Sequence, residues 1–448
     1  MIQARAIRQA VRRSPIRNRR EATRTPRRDT RPTAHVPATL APAGPRDYLR
    51  AIGPGLVAGA SDTDPTTVAA IAVIGATTVF GLAWVALLVA PALIVVQVLA
   101  SRIGVFAGTD LQRAARQRFG RSARQLLLLS IVVVTVLTLA ADLEAGAASI
   151  ELLTGASAAW LVAPLAAVIV VLLMLGTYPV IERVLKYGAL ALLAYVVSAF
   201  FASVPWGQVL HDSFVPTFSF THDYVAGALA LLGTTITSYV YVWQTVEIAE
   251  ERPDPRRLRL VETDAAVGTV FAVVIIWFIL VATGATLGVH HHPVQTAQDA
   301  ARALAPLAGR DASALFGFGL LASALVAIPV LMSTAAYVVG AEYGWQCGLS
   351  EPVRRAPRFY ASLVVATAAA LVVTVSSVSA IRLLFYASIA GGLGAPIGLA
   401  ALVLLAGDRD VMHGRPIGLP LRVAGWVVAA VISVLGLLYL ADQIFGLF

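Results

Sequence analysis

A lipid bilayer offers the peptide backbone no hydrogen-bonding partner, and this sequence is largely assembled from apolar blocks about as long as a bilayer is thick. Segments such as "VFGLAWVALLVAPALIVVQVLA" (79–100) and "FAVVIIWFILVATGATLGV" (271–289) carry no charge. A helix of about 20 such residues crosses the ~30 Å hydrocarbon core. Inside hydrocarbon every N–H and C=O must be satisfied within the segment, so blocks of this kind fold as helices. Only 13% of residues are charged and 58% are apolar, against about 25% charged in a typical soluble chain. The composition and the blocks together specify an all-α membrane protein in contact with a lipid bilayer.

Eleven transmembrane helices are read, near 48–78, 80–104, 124–152, 159–178, 181–204, 225–250, 261–288, 313–345, 358–378, 381–406 and 421–445. Basic residues favour cytoplasmic loops, and they alternate along this chain. The connections after the even spans hold Arg113, Arg116, Arg118 and Arg121, then Arg183 and Lys186, then "RPDPRRLR", then Arg354, Arg355 and Arg358, then Arg409 and Arg415. The intervening loops "TGASAA" and "PWGQVLHDSFVPTFSFTHD" have neither Lys nor Arg, and only the loop carrying Arg302 and Arg310 departs from the pattern. This places the N-terminus inside and Phe448 outside.

The net charge of +9 is concentrated before Arg50, in "RRSPIRNRREATRTPRRDTRPT". Rich in Arg, Pro and Thr and poor in apolar residues, residues 1–45 read as a disordered cytoplasmic tail lying near anionic headgroups. A nucleic-acid partner is not indicated, and an organelle transit peptide is disfavoured by the lack of apolar periodicity. Residues 46–448 form the membrane-spanning domain. Cys347 is the only cysteine, which excludes a disulfide framework and a thiolate metal cluster. No nucleophile–base pair or cofactor motif appears, so neither an enzyme nor a resident cofactor is expected. Arg, Ala and Val in place of Lys suggest a bacterial source, and hence a bacterial cytoplasmic (inner) membrane.

Spans 1 and 6, the first of each set of five, are both interrupted by polar residues. Span 1 reads "AIGPGLVAGASDTDPTTVAAIAVIGA" and span 6 "VAGALALLGTTITSYVYVWQTVEIAE". An Asp near the centre of a membrane helix costs roughly 2.5–3.5 kcal/mol. Pro65 removes a backbone donor, so the helix unwinds around Asp64, freeing carbonyl oxygens beside a carboxylate as a hard cation requires. The same Asp64–Pro65 pair also reads as an N-cap followed by Pro at the first helical position, and Asp62 as an aspartate facing water. Gly233 with Thr234, Thr235, Thr237 and Ser238 marks the second break, although such hydroxyls also bond back to their own helix. Matched breaks in two halves indicate an inverted-repeat transporter of five plus five spans, with its site at the breaks.

"GPGLVAGASDTDPTTVAAIAVIGATTVFGLAW", "VQVLASRIGVFAGTDL" and "GTTITSYVYVWQTVE" resemble the first, second and sixth spans of Nramp divalent-metal transporters. The likeness is closest to the bacterial Nramp-related branch, some of whose members are regarded as magnesium transporters. It implies a LeuT-type fold and a divalent metal ion as substrate. It also implies a site built from Asp64, from Thr67 at the family's Asn position, from Thr237 at its Met position, and from the Thr234 carbonyl, with Asp62 close by. A hydroxyl in place of the thioether removes the soft ligand that favours transition metals. Oxygen donors with one or two carboxylates suit Mg²⁺, with Mn²⁺ also accommodated.

The family's two proton-path histidine positions are Tyr239 and Gln244, which do not titrate near neutral pH. Asp142 is retained in span 3, but the family's glutamate position is Ala145, with Glu144 one residue earlier on another face. Weak or absent proton coupling follows; the alternative role for Asp142 and Glu144 is pairing with arginines. In span 10 the branch's Asn position is Ala390, within "YASIAGGLGAP", where Ser388 is a possible substitute. His290, His291 and His292 read as solvated loop residues, "GPG" at Gly53 and "GGLG" at Gly391 as packing or break points, and Pro329 as a kink. The competing function is a LeuT-fold symporter of a small organic solute such as an amino acid, for which a buried Asp64 would repel a substrate carboxylate. A metal sensor is a third, weaker reading.

Overall fold

The computed structural model describes residues 63–176, 193–375 and 379–447. The Arg-rich tail, Asp62, the first half of span 1 and the first half of span 5 lie outside the described residues. The longer helices are α1 (Pro65–Thr78), α2 (Ala83–Arg102), α3 (Arg121–Thr154), α4 (Ala158–Met174), α5 (His222–Thr235), α6 (Ser238–Glu251), α7 (Leu258–Thr286), α8 (Ala312–Tyr343), α9 (Pro357–Thr374), α10 (Ala380–Ala406) and α11 (Leu419–Phe445). No strand occurs among the described residues. Eight helical stretches there are long and apolar enough to cross a membrane, and Pro65–Thr78 and Ala158–Met174 are shorter apolar helices.

Span 6 is broken where the polar run predicts. It becomes α5 and α6, separated by Ile236 and Thr237 in non-helical conformation. Gly233 lets the break meet α10: a Cβ added there would lie 2.1 Å from the Ser388 carbonyl oxygen and 2.3 Å from the Gly392 nitrogen. That approach is possible only for a residue without a side chain. Gly391 and Gly392 are its counterparts on α10, as the packing reading of the "GGLG" string requires. Pro329 stands inside α8, where its carbonyl accepts a hydrogen bond from the Ser333 hydroxyl at 2.6 Å.

Burial separates the interior helices from the lipid-facing ones. The apolar window of the α5–α6 segment is 94% buried, whereas that of α11 is only 28% buried. α1 is buried on nearly every side and packs against α5, α7 and α10. The two helices that carry the breaks therefore lie in the interior, and the outer ones present Leu and Val to lipid.

At one end of the bundle the basic connections meet. Arg118 pairs with Asp408, Arg124 with Glu342 at 3.2 Å, and Arg102 with Glu262 at 2.7 Å. The guanidinium of Arg415 lies 5.4 Å from the Phe106 ring centre. These contacts join the connections between spans 2 and 3, 6 and 7, 8 and 9, and 10 and 11, which the charge alternation assigns to one side. At about 1.5 Å per residue, the 34 residues of α3 exceed the hydrocarbon thickness, which leaves room for Arg121 and Arg124 to lie beyond it. At the opposite end the His222 ring meets Asp442 at 2.6 Å, and Trp84 donates to the Tyr224 hydroxyl at 3.1 Å.

Two connections expected as plain loops contain helix. Trp206–Phe214 is helical, and the segment after α7 holds Ala297–Ala301, started by a capping box of Thr296 and Asp299. His290, His291 and His292 are exposed there, as a solvated loop predicts.

Candidate metal-ion site

Asp64 begins α1. Its backbone is extended, Pro65 occupies the first helical position, and its Oδ1 accepts from the Thr67 N–H at 2.7 Å. The capping reading is therefore realised. It accounts for one carboxylate oxygen only. Oδ2 accepts from the Tyr239 hydroxyl at 2.5 Å, across from the first turn of α6. Asp64 is 2% exposed, and both of its oxygens are held by neutral donors.

The two breaks are joined by a hydroxyl pair. Thr67 Oγ1 and Thr234 Oγ1 are 3.0 Å apart, both buried. Thr237 caps α6 by backbone conformation, but its side chain makes no capping bond and its buried Oγ1 has no hydrogen-bond partner among the described residues. A buried, unpartnered hydroxyl is uncommon in folded proteins. Thr235, by contrast, bonds back to the Leu231 carbonyl at 2.8 Å, as isolated helical threonines do. The Thr63 carbonyl, freed by the first break, accepts from the Ser323 hydroxyl of α8 at 2.5 Å.

Asp64, Thr67 and Thr234 are thus brought into one bonded chain. Thr237 lies at the same break, its Oγ1 3.4 Å from the Cβ position of Gly391. Asp62 falls outside the described residues. Ser388 is buried, and its hydroxyl donates to the Leu384 carbonyl at 2.9 Å; what α10 presents to Gly233 is backbone.

Among the described residues Asp142 pairs with no arginine. It is fully buried, its Oδ1 accepts from the Thr66 hydroxyl at 2.7 Å, and its Oδ2 has no hydrogen-bond partner among the described residues. The alternative of arginine pairing is corrected by this contact: Asp142 lies too deep in α3 to reach the arginines at the bundle end. Since Thr66 adjoins Thr67, a second carboxylate is tied to the first break. Glu144 is only part-buried, on another side of α3.

A cavity of about 240 Å³ opens beside Asp64 and descends along α6 to Glu251, an exposed residue at the helix end. Tyr239, Trp243, Glu247 and Glu251 recur at four-residue spacing and form one wall. Gln97 of α2, Asp264 and Gly268 of α7, and Val326 and Val330 of α8 complete it. No group of three His, Cys, Asp or Glu among the described residues is placed to hold a metal. Such a site offers one carboxylate with hydroxyl and carbonyl oxygens, and leaves water on much of an ion's surface.

Tyr239, Gln97, Glu247 and Asp264 were not among the residues read as ligands from sequence. For Tyr239 and Glu247 the available signal was their recurrence at four-residue spacing along α6; Gln97 and Asp264 lie on other helices and carry no such pattern.

The family model described as natural resistance-associated macrophage protein-like (Nramp) matches residues 55–442. Among curated proteins, the divalent metal cation transporter MntH of Deinococcus radiodurans is 27% identical over 421 residues, covering 91% of this chain and 93% of that protein. The MntH of Mycobacterium tuberculosis is 26% identical, with 88% and 92% covered. Among solved structures, a crystal structure of the Eremococcus coleocola manganese transporter superposes with a TM-score of 0.71 at 18% identity, covering 91% of this chain and 90% of that one. MhsT in complex with L-phenylalanine gives a TM-score of 0.53 at 15% identity, covering 89% and 98%. At these identities the structural likenesses bear on fold alone, and that fold is the LeuT type; among the described residues span 6 is broken and span 1 resumes as a helix at Pro65.

Proposed function

The chain belongs to the Nramp family, and from that premise we propose that it carries divalent metal cations across a bacterial cytoplasmic membrane, Mg²⁺ ahead of Mn²⁺. The observation that carries this reading is the setting of Asp64: a buried carboxylate at the start of α1 that meets the first turn of α6 through Tyr239, with the Thr67–Thr234 hydroxyl pair linking α1 to the span 6 break. The relatives' names supply the divalent cation. The choice of Mg²⁺ rests on the donor set, because hydroxyl at Thr237 supplies no soft ligand and Mg²⁺ is held through carboxylate and water.

Transport proceeds by alternating access, the broken helices rocking against the other spans. With the Arg-rich tail inside, the cavity that descends from Asp64 to Glu251 faces the cytoplasm. Membrane potential favours entry by about 2.3 kcal/mol per charge per 100 mV, enough to drive a dication inward without a co-ion. Coupling to protons is weak or absent, since Tyr239 and Gln244 replace titrating groups. Asp142, linked to the break through Thr66, is the residue through which any remaining coupling would run. The organic-solute reading shares only the fold, and no observation at the site favours it.

The test is uptake of Mg²⁺ and Mn²⁺ into proteoliposomes by the intact protein and by Asp64→Ala, with internal pH recorded in parallel. Mg²⁺ uptake that disappears in Asp64→Ala without acidification is the expected result. Mn²⁺ uptake with acidification would overturn the metal preference and the uncoupled mechanism. No uptake of either metal by folded protein would bring the organic-solute reading forward.

A further inference from the structure

The cavity below Asp64 has a chemistry of its own. Gln97 is 5% exposed, lines this cavity, and its Oε1 has no hydrogen-bond partner among the described residues. A buried amide oxygen without a donor is rare in native proteins and is ordinarily met by water or a cation. Glu247 of α6 and Asp264 of α7 line the same cavity, as does Gln244, whose Nε2 donates to the Ser101 hydroxyl at 3.4 Å. Four oxygen-bearing side chains from three helices therefore meet in one space inside the bundle. Glu247 lies two helical turns from Tyr239 on α6, about 12 Å along the axis at 1.5 Å per residue, so this group is separate from the oxygens at the helix breaks.

We propose that Gln97, Glu247 and Asp264 form a second cation station, which holds a divalent cation with its water shell on the way between Asp64 and Glu251. The station rests on the transport reading given above. Size supports it. The cavity, about 240 Å³ in all between Asp64 and Glu251, has room for several waters around an ion. Charge supports it as well, since carboxylates and an amide oxygen accept hydrogen bonds from metal-bound water without displacing it, which suits an ion that dehydrates reluctantly. Glu251 at the mouth adds a field of the same sign that concentrates cations. Partial dehydration is then confined to Asp64, and the ion crosses the remaining distance hydrated.

Mn²⁺ serves as the probe, titrated into the millimolar range on the purified full-length protein and followed by electron paramagnetic resonance and calorimetry. Two classes of bound Mn²⁺ are expected in the intact protein. Asp64→Ala removes one class, and the isosteric Glu247→Gln or Asp264→Asn removes the other while leaving the Asp64 class in place. A single class in the intact protein, or an unchanged count in both Glu247→Gln and Asp264→Asn, overturns the station. Should Asp64→Ala leave the count unchanged, the Asp64 site itself fails, and the station still stands or falls on the two vestibule variants. If one of these fails to fold, the other, together with Gln97→Met, decides the outcome.

Discussion

The Tyr239 hydroxyl and the Asp64 carboxylate are 175 residues apart in sequence and 2.5 Å apart in space. The phenol occupies the oxygen that would otherwise face the cavity, so an arriving cation competes with it. Hydrogen bonds to charged groups contribute about 1.5–3 kcal/mol, and part of this is lost when metal displaces the phenol. Tyr239→Phe is expected to tighten Mn²⁺ binding by roughly tenfold, equivalent to about 1.4 kcal/mol, while slowing release. Calorimetry on the purified variant checks this; unchanged or weaker binding would show that the phenol contributes to the bound state instead.

Thr237 decides the softness of the site. Its hydroxyl is buried and has no hydrogen-bond partner among the described residues, so a longer side chain there loses no hydrogen bond seen in the structure. Thr237→Met introduces a thioether at the residue that starts α6, next to the break, and soft ligands select soft metals. Uptake of Cd²⁺ and Mn²⁺ is expected to rise several-fold relative to Mg²⁺. Competition assays in proteoliposomes read the ratio, and an unchanged ratio would remove Thr237 from the ligand set.

Gly233 allows the backbones of α5 and α10 to touch. An added methyl would lie 2.1 Å from the Ser388 carbonyl oxygen, so Gly233→Ala forces the helices apart. Overpacking of this kind costs about 1–3 kcal/mol. A lower melting temperature and near-complete loss of transport are expected; wild-type uptake would mean that α10 can yield without disturbing the break.

Cys347 lies in the connection between α8 and α9, where burial pushes its thiol up to about 11. Below that value the thiol, not the reactive thiolate, predominates. Maleimide labelling is expected to be slow at pH 7 and to accelerate about tenfold for each pH unit until pH approaches 11. A rate that levels off near pH 8 or 9 would contradict the buried setting. Stopped-flow labelling of the intact protein gives the profile without mutation, since this is the only cysteine in the chain.

Several parts of the site were legible in the residues themselves. Asp64 announced itself as a carboxylate in an apolar block followed by proline, and Thr234 and Thr237 as hydroxyls too closely spaced for a lipid-facing helix. The identity of the partners was less accessible. Asp142 can pair with an arginine as far as its sequence shows, yet it meets Thr66, because the depth of a residue in a long helix decides what it can reach. Glu247 and Asp264 were assigned no role from the sequence. They line a common cavity only because α2, α6, α7 and α8 converge there.

What the sequence by itself determined was local: the helical state of the apolar blocks, the helix start at Asp64–Pro65, the break after Gly233, and the sorting of basic connections to one end. Each follows from backbone hydrogen bonding in hydrocarbon or from charge at its boundary, neither of which depends on a distant residue. The tertiary structure alone decided that Thr67 meets Thr234, that Tyr239 caps the second oxygen of Asp64, and that Gln97 opens onto the same cavity. Those distances are set by how closely whole helices approach, and at Gly233 and Gly392 the approach is limited by backbone atoms rather than by any pattern that a linear sequence displays.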